Sequence, residues 1–237
     1  MNDFSNMSPI ELYYWPTSNG FKISIFLEEA KYPYNLNYVN ISKGEQFEPS
    51  FLKISPNNRM PAIIDPDGPD GKEISIFESG AILQYLGRKT EMFYPSDYRK
   101  QIEVDQWLFW QVGNLGPMGG QAHHFRNYSQ TKLQYAIDRY TNEVNRLYGV
   151  LNKKLSDGRE YIAEDYTIAD MACIGWVRNP ERKGQDLENF PYLKLWFERM
   201  MARPAVIKGV SIGADINHDL SKDLEAQKIL FGQKARD

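Results

Sequence analysis

Met60-Pro61 and, further along, Glu78-Ser79-Gly80 are the residues whose types and spacing most directly suggest chemistry. Between them lie two short apolar runs, Ala62-Ile63-Ile64 and Ile74-Ser75-Ile76-Phe77, separated by a Pro- and Gly-rich turn. That order describes a strand, a turn, a second strand and a helix start. Backbone groups beside Pro61 and the free N–H groups of a helix N-terminus would then face one ligand. Such a frame suits a small extended peptide with a carboxylate at one end. Ser79 can donate its hydroxyl and backbone N–H to a carboxylate, and Glu78 can accept from an ammonium. Simple capping of the helix by either residue is the alternative reading.

The elements that must position these residues follow from apolar spacing. Ile10 to Tyr14 reads as a first strand, and Trp15 to Gly20 as a loop ending in helix-capping residues, among them Thr17, Ser18 and Asn19. Phe21 to Lys31 has helical spacing through Ile23, Phe26, Leu27 and Ala30, and Pro33 ends it. Tyr34 to Ile41 alternates as a strand, and a loop containing Gln46 leads to a short helical stretch from Pro49 to Ile54. The order βαβ, connection, ββα makes an α/β unit over residues 9–90. Past a linker around Pro95, strand patterns fade. Helices are expected at Ile102 to Val112, Tyr135 to Leu155, Ile168 to Trp176 and Pro191 to Arg203, where Pro204 stops the last. Residues 99–216 therefore form an all-helical domain, and residues 217–237 a polar tail.

Composition excludes several classes. The chain has 237 residues and a net charge of -3, which argues against a whole-chain nucleic-acid footprint. No apolar run approaches the roughly 20 residues of a membrane span, and Met1 to Ser8 lacks the apolar stretch of a secretion signal. A single cysteine, Cys173, permits no intrachain disulfide and points to a reducing, cytoplasmic setting. It falls in an apolar helix, where a buried inert thiol is expected. His123 and His124 are adjacent and have no partners at metal-ligand spacing, so no metal site is expected. Thr167 and Asp170 have capping-box spacing and are read as structural. Trp107, Phe109 and Trp110 are read as core.

Three motifs carry a family resemblance: Asn58-Arg59-Met60-Pro61-Ala62, Phe77-Glu78-Ser79-Gly80-Ala81-Ile82 and Thr167-Ile168-Ala169-Asp170. Together they resemble glutathione transferases over roughly Glu11 to Val210. Trp107 to Val112, Gly116-Pro117-Met118, Gln121 to Phe125 and Tyr135 to Tyr140 resemble the nu class of bacterial enzymes. Met200 to Val206 is also similar to a fungal nitrogen-regulator branch.

The resemblance implies a thioredoxin-like domain followed by an all-α domain, with a cis bond before Pro61. It implies glutathione or oxidised glutathione as ligand: the cysteinyl part on the Met60 backbone, the γ-glutamyl end at Glu78 and Ser79, and the glycyl end at Gln46. Thr17 and Asn19 would lie near the ligand sulfur as catalytic residues, with Ser18, Tyr13 and Tyr14 as rivals. Arg139 would reach the other subunit's site in a homodimer; an exposed helix arginine paired with Glu143 is the alternative. Lys22 and Arg59 are weaker electrostatic candidates. The implied activity is glutathione-dependent reduction of small or mixed disulfides, because a chain without Cys-x-x-Cys must take its thiol from the ligand. The rivals are conjugation of glutathione to electrophiles and a non-catalytic regulator. Such regulators carry a long polar N-terminal extension, whereas nine residues precede Ile10 here.

Overall fold

The computed structural model describes residues 3–216 and 220–235. Its contacts separate two units, Met1–Tyr85 with Lys208–Asp237, and Leu86–Ile207.

In the first unit, β1 (Ile10–Tyr14), β2 (Tyr34–Tyr38), β3 (Ala62–Asp65) and β4 (Ile74–Phe77) form one sheet in the order β2-β1-β3-β4. β1 alternates as a half-buried strand must: Ile10, Leu12 and Tyr14 are fully buried, while Glu11 and Tyr13 are not. Glu11 accepts from the Asn35 and Asn37 amides on neighbouring β2, at 2.6 and 2.7 Å. β1 and β2 run parallel and are joined through α1 (Gly20–Ala30), as a parallel pair requires. Gly20 opens that helix because a Cβ there would collide with the Trp15 carbonyl oxygen and the Tyr14 ring. Lys31 closes it in the left-handed region, at φ 52°. The four-residue α2 (Pro49–Leu52) precedes β3, and α3 (Ser79–Thr90) follows β4.

The second unit is helical: α4 (Tyr98–Trp110), α5 (Gly116–His123), α6 (Gln134–Lys154), α7 (Ile168–Val177) and α8 (Pro191–Met201). Val144, Leu147 and Leu151 bury one face of α6, as their spacing requires. The aromatic run of α4 is not core as expected. Phe109 is 63% exposed, and Val104 and Leu108 take the buried face instead. Phe109 lies one position beyond Leu108, which turns it about 100° off that face. Pro204 also does more than stop a helix: it begins α9 (Pro204–Ser211), as proline at a first helical position can.

The expected polar tail contains α10 (Leu224–Phe231), while residues 217–219 and 236–237 lie outside the described residues. Asp223 caps α10 by accepting from the Ala226 N–H at 2.9 Å, and Ala226 and Gln227 are buried. Leu230 packs on a cluster formed by Trp15, Val39, Ile41, Phe51, Met60 and Ala62.

α7 begins with the expected reciprocal cap. Thr167 Oγ1 accepts from Ala169 N at 3.3 Å, and Asp170 Oδ2 accepts from Thr167 N at 3.0 Å. Asp170 also holds the second unit together, accepting from Ile162 N at 3.0 Å and from Trp196 Nε1 at 2.8 Å. Complete burial pushes its carboxyl up to about 6, against the pull of these donors. Its contribution to stability is therefore full below 3.8, the ordinary value, and is lost as the pH rises through about 6. Replacing Asp170 by Ala should cost about 3–5 kcal/mol near pH 4, where its contribution is close to full, because three buried donors lose their acceptor. In urea titrations, the stability gap between the protein and its Asp170→Asn variant should narrow from about pH 4 to about pH 6. A gap that widens over that range would contradict this role.

Candidate functional site

Strand pairing brings the four expected site segments to one end of the sheet. The carboxyl ends of β1 and β2 lie together because the two run parallel, with Tyr14 opposite Tyr38. β3 runs against β1, with Ala62 opposite Tyr13, so its amino end lies there too. β4 runs against β3, with Phe77 opposite Ala62. The loops leaving or entering these ends carry Thr17 and Asn19, Gln46, Met60 and Pro61, and Glu78 and Ser79. The pairing of Ala62 with Phe77 puts Pro61 across from Glu78.

Thr17 and Asn19 are half-buried. Thr17 Oγ1 accepts from the Gly20 N–H at 3.2 Å, and the Thr17 carbonyl accepts from Phe21 N at 3.0 Å. Among the described residues Thr17 Oγ1 donates to no protein acceptor, so its hydrogen remains available to an anion. The rival Tyr14 is buried and its hydroxyl donates to the Ile212 carbonyl at 3.0 Å, which gives it a packing role. Tyr13 packs against Phe51, and burial, with help from Glu11 and Glu73, raises its hydroxyl pKa.

The bond between Met60 and Pro61 is cis. Met60 is buried in the cluster with Trp15 and Phe51, and Ser55 Oγ donates to the Arg59 carbonyl at 2.8 Å, fixing the approach to it. Arg59 is exposed and donates to Asn58 Oδ1 and Gln233 Oε1, both at 2.9 Å.

Glu78 adopts φ 69°, in the left-handed region, and its carbonyl accepts from Ile82 N at 2.9 Å as α3 begins. Its exposed carboxylate accepts from Asn57 Nδ2 at 3.2 Å, a partner with no signal of its own in the sequence. Ser79 is buried and its Oγ accepts from Lys22 Nζ at 3.1 Å.

Gln46 is more enclosed than a loop glutamine suggests, being only 1% exposed. Its Nε2 donates to the Ile41 carbonyl at 3.3 Å, while its buried Oε1 has no partner among the described residues. In this orientation Gln46 offers an acceptor, which matches a ligand N–H better than a carboxylate.

Arg139 lies in the second unit and its side chain is 55% exposed. Glu143 is the expected pairing partner, yet Arg139 stands 3.8 Å from it, while Arg146 makes a 2.7 Å contact. The Arg146 hydrogen bond does most to hold the Glu143 carboxyl below its usual value. Cys173 is fully buried in α7. Among the described residues no group of three or more His, Cys, Asp or Glu is arranged to hold a metal ion, and no helix is long and apolar enough to cross a membrane.

A half-buried hydroxyl at one helix N-terminus, a buried serine at another and a cis proline between them can bind an extended anionic peptide. They include no thiol, since the single cysteine, Cys173, is buried in α7.

Comparisons with known proteins identify the family. The family model of the glutathione S-transferase N-terminal domain matches residues 8–88, and that of the C-terminal domain matches residues 117–204. The chain is 51% identical over 197 residues to the disulfide-bond oxidoreductase YfcG of Escherichia coli, covering 83% of this chain and 92% of that protein. A glutathione transferase from Burkholderia graminis, solved with two glutathione molecules per subunit, is 42% identical with a TM-score of 0.82. That match covers 86% of this chain and 88% of the other. A glutathione transferase from Pseudomonas putida, solved with one glutathione disulfide per subunit, is 40% identical with a TM-score of 0.82, covering 86% and 91%. The expected architecture, a βαβ-ββα thioredoxin-like unit followed by an all-helical one, is the one found. The chain belongs to the glutathione S-transferase family.

Proposed function

We propose that this chain is a nu-class, glutathione-dependent disulfide-bond oxidoreductase in which bound glutathione supplies the reacting thiol. The observation that carries this reading is the pairing of a 51% identity to a protein named as a disulfide-bond oxidoreductase with a single cysteine that is fully buried. The first glutathione thiolate attacks a disulfide, forms a mixed disulfide with one half and releases the other half as a thiolate. A second glutathione thiolate attacks the glutathione sulfur of that mixed disulfide, giving oxidised glutathione and the second substrate thiol. Two glutathiones are thus oxidised for each disulfide reduced.

In this reading residues 9–90 bind glutathione and residues 99–216 form the helical domain. The Thr17 hydroxyl and the Asn19 amide stand at the sulfur and favour the thiolate over the thiol, which ordinarily titrates at about 8.5. The γ-glutamyl carboxylate meets Ser79 and the N-terminus of α3, and its ammonium meets Glu78. The Met60 backbone takes the cysteinyl part, and Gln46 accepts from the glycyl N–H through its buried oxygen. The exposure of Arg139 and its loose 3.8 Å pairing support a role beyond its own helix, on the partner's ligand in a homodimer. The cytoplasm, with its reduced glutathione, is the compartment that suits this cycle.

The test measures glutathione-dependent reduction of a small disulfide, coupled to glutathione reductase, beside conjugation of chlorodinitrobenzene. Strong reduction with weak conjugation is expected; the reverse would make the chain a conjugating transferase. Thr17→Ala and Asn19→Ala should each lower kcat about tenfold, as loss of one hydrogen bond to a charged atom does. Full activity in both would remove them from the site. Cys173→Ala should retain wild-type turnover, and its loss in a folded variant would place the thiol chemistry on the protein.

A further inference from the structure

Lys22 is 1% exposed on α1, between Phe21 and Ile23, which are themselves buried. An ammonium at such a position is costly to desolvate, and hydrogen bonds to it offset part of that cost. Its Nζ lies 3.1 Å from Ser79 Oγ, across from α1 at the first residue of α3. We propose that Lys22 is a positioning residue for the ligand carboxylate, acting through the Ser79 hydroxyl. This rests on the reading that Ser79 and the N-terminus of α3 receive the γ-glutamyl carboxylate.

The direction of the hydrogen bond follows from the donor inventory. A lysine ammonium has three N–H donors and no acceptor, so Ser79 Oγ must accept. The single hydroxyl hydrogen of Ser79 is then turned away from Lys22 and is free to be donated at the mouth of the helix. A serine without such a partner could instead swing its oxygen toward free backbone N–H groups of the helix, in the capping role that competes with ligand binding. The bond is charge-assisted and shielded from water, so it also polarises the hydroxyl and makes it a stronger donor. The buried positive charge adds to the partial positive charge of the helix N-terminus, and both favour an anion at the same place. Lys22 thereby couples α1, which also follows the Thr17 loop, to the anion end of the site on α3.

The experiment measures binding of two ligands by calorimetry: S-methylglutathione, which removes thiol chemistry, and its analogue with the γ-glutamyl α-carboxylate converted to a carboxamide. Wild type should prefer the carboxylate form. In Lys22→Met, whose side chain has similar length and no charge, that preference should fall by about tenfold, with carboxamide affinity little changed. A wild-type preference that Lys22→Met keeps in full would overturn the proposal and leave the Ser79 reading standing. Equal loss of affinity for both ligands would also overturn it, since that marks a general distortion. A wild type that does not distinguish the two ligands would overturn the Ser79 reading itself, and this proposal with it. If Lys22→Met does not fold, Lys22→Gln is judged by the same criterion. Failure of both neutral variants to fold, while Lys22→Arg folds, would make Lys22 a structural ion and overturn the proposal.

Discussion

The antiparallel pairing of β3 with β4 is the constraint on which the candidate binding end of the first unit depends. Its register sets Ala62 against Phe77 and so places Pro61 across from Glu78. Because side chains alternate with period two, a slip of one residue would reverse which residues of both strands face the core. β4 shows that alternation, with Ile74 and Ile76 half-buried and Ser75 and Phe77 exposed. The same β3 pairs with β1, and β1 with β2, so one sheet collects the loops of Thr17, Gln46, Pro61 and Glu78 at a single end.

The chemistry follows from what stands at that end and from what does not. Among the described residues Thr17 keeps a hydroxyl hydrogen to give, α1 and α3 present their N-termini, and Ser79 accepts from the buried Lys22. These groups can stabilise negative charge on a ligand, and none of them is a thiol. The single thiol is enclosed in α7, among Ile168, Met171, Ala172 and Ile174, all fully buried. A disulfide reductase built this way uses its fold to orient and ionise a borrowed thiol. That separates it physically from a dithiol enzyme on the same kind of sheet.

Much of this is legible in the sequence where local signals and the tertiary outcome agree. β1 and β4 fall on the apolar runs that suggest them, and α7 opens on the Thr167 and Asp170 cap that their spacing implies. What escapes depends on distant partners. The left-handed Glu78 and its bond to Asn57 have no local signature, since both residues are ordinary in loops. Lys22 carries only a weak electrostatic signal until α3 is placed beside it. Phe109 is a core residue by type, but helix phase, set by Val104 and Leu108, turns it outward. Pro204 signals a stop more plainly than a start, and α10 is hidden in a polar stretch whose few apolar residues, such as Leu230, pack against Trp15 and Met60. The helical turns at 111–115 and 124–128 widen to π geometry, which apolar spacing does not register.

The central claim, that the reacting sulfur belongs to glutathione and not to the protein, is tested most directly by denaturing intact-mass spectrometry during turnover. The protein would be quenched in acid while reducing a small disulfide with glutathione, and both protein and small molecules would be weighed. The account predicts an unmodified protein together with a mixed disulfide of glutathione and substrate, giving way to oxidised glutathione. A protein carrying glutathione or substrate in disulfide linkage on Cys173 at a level that rises and falls with turnover would contradict it.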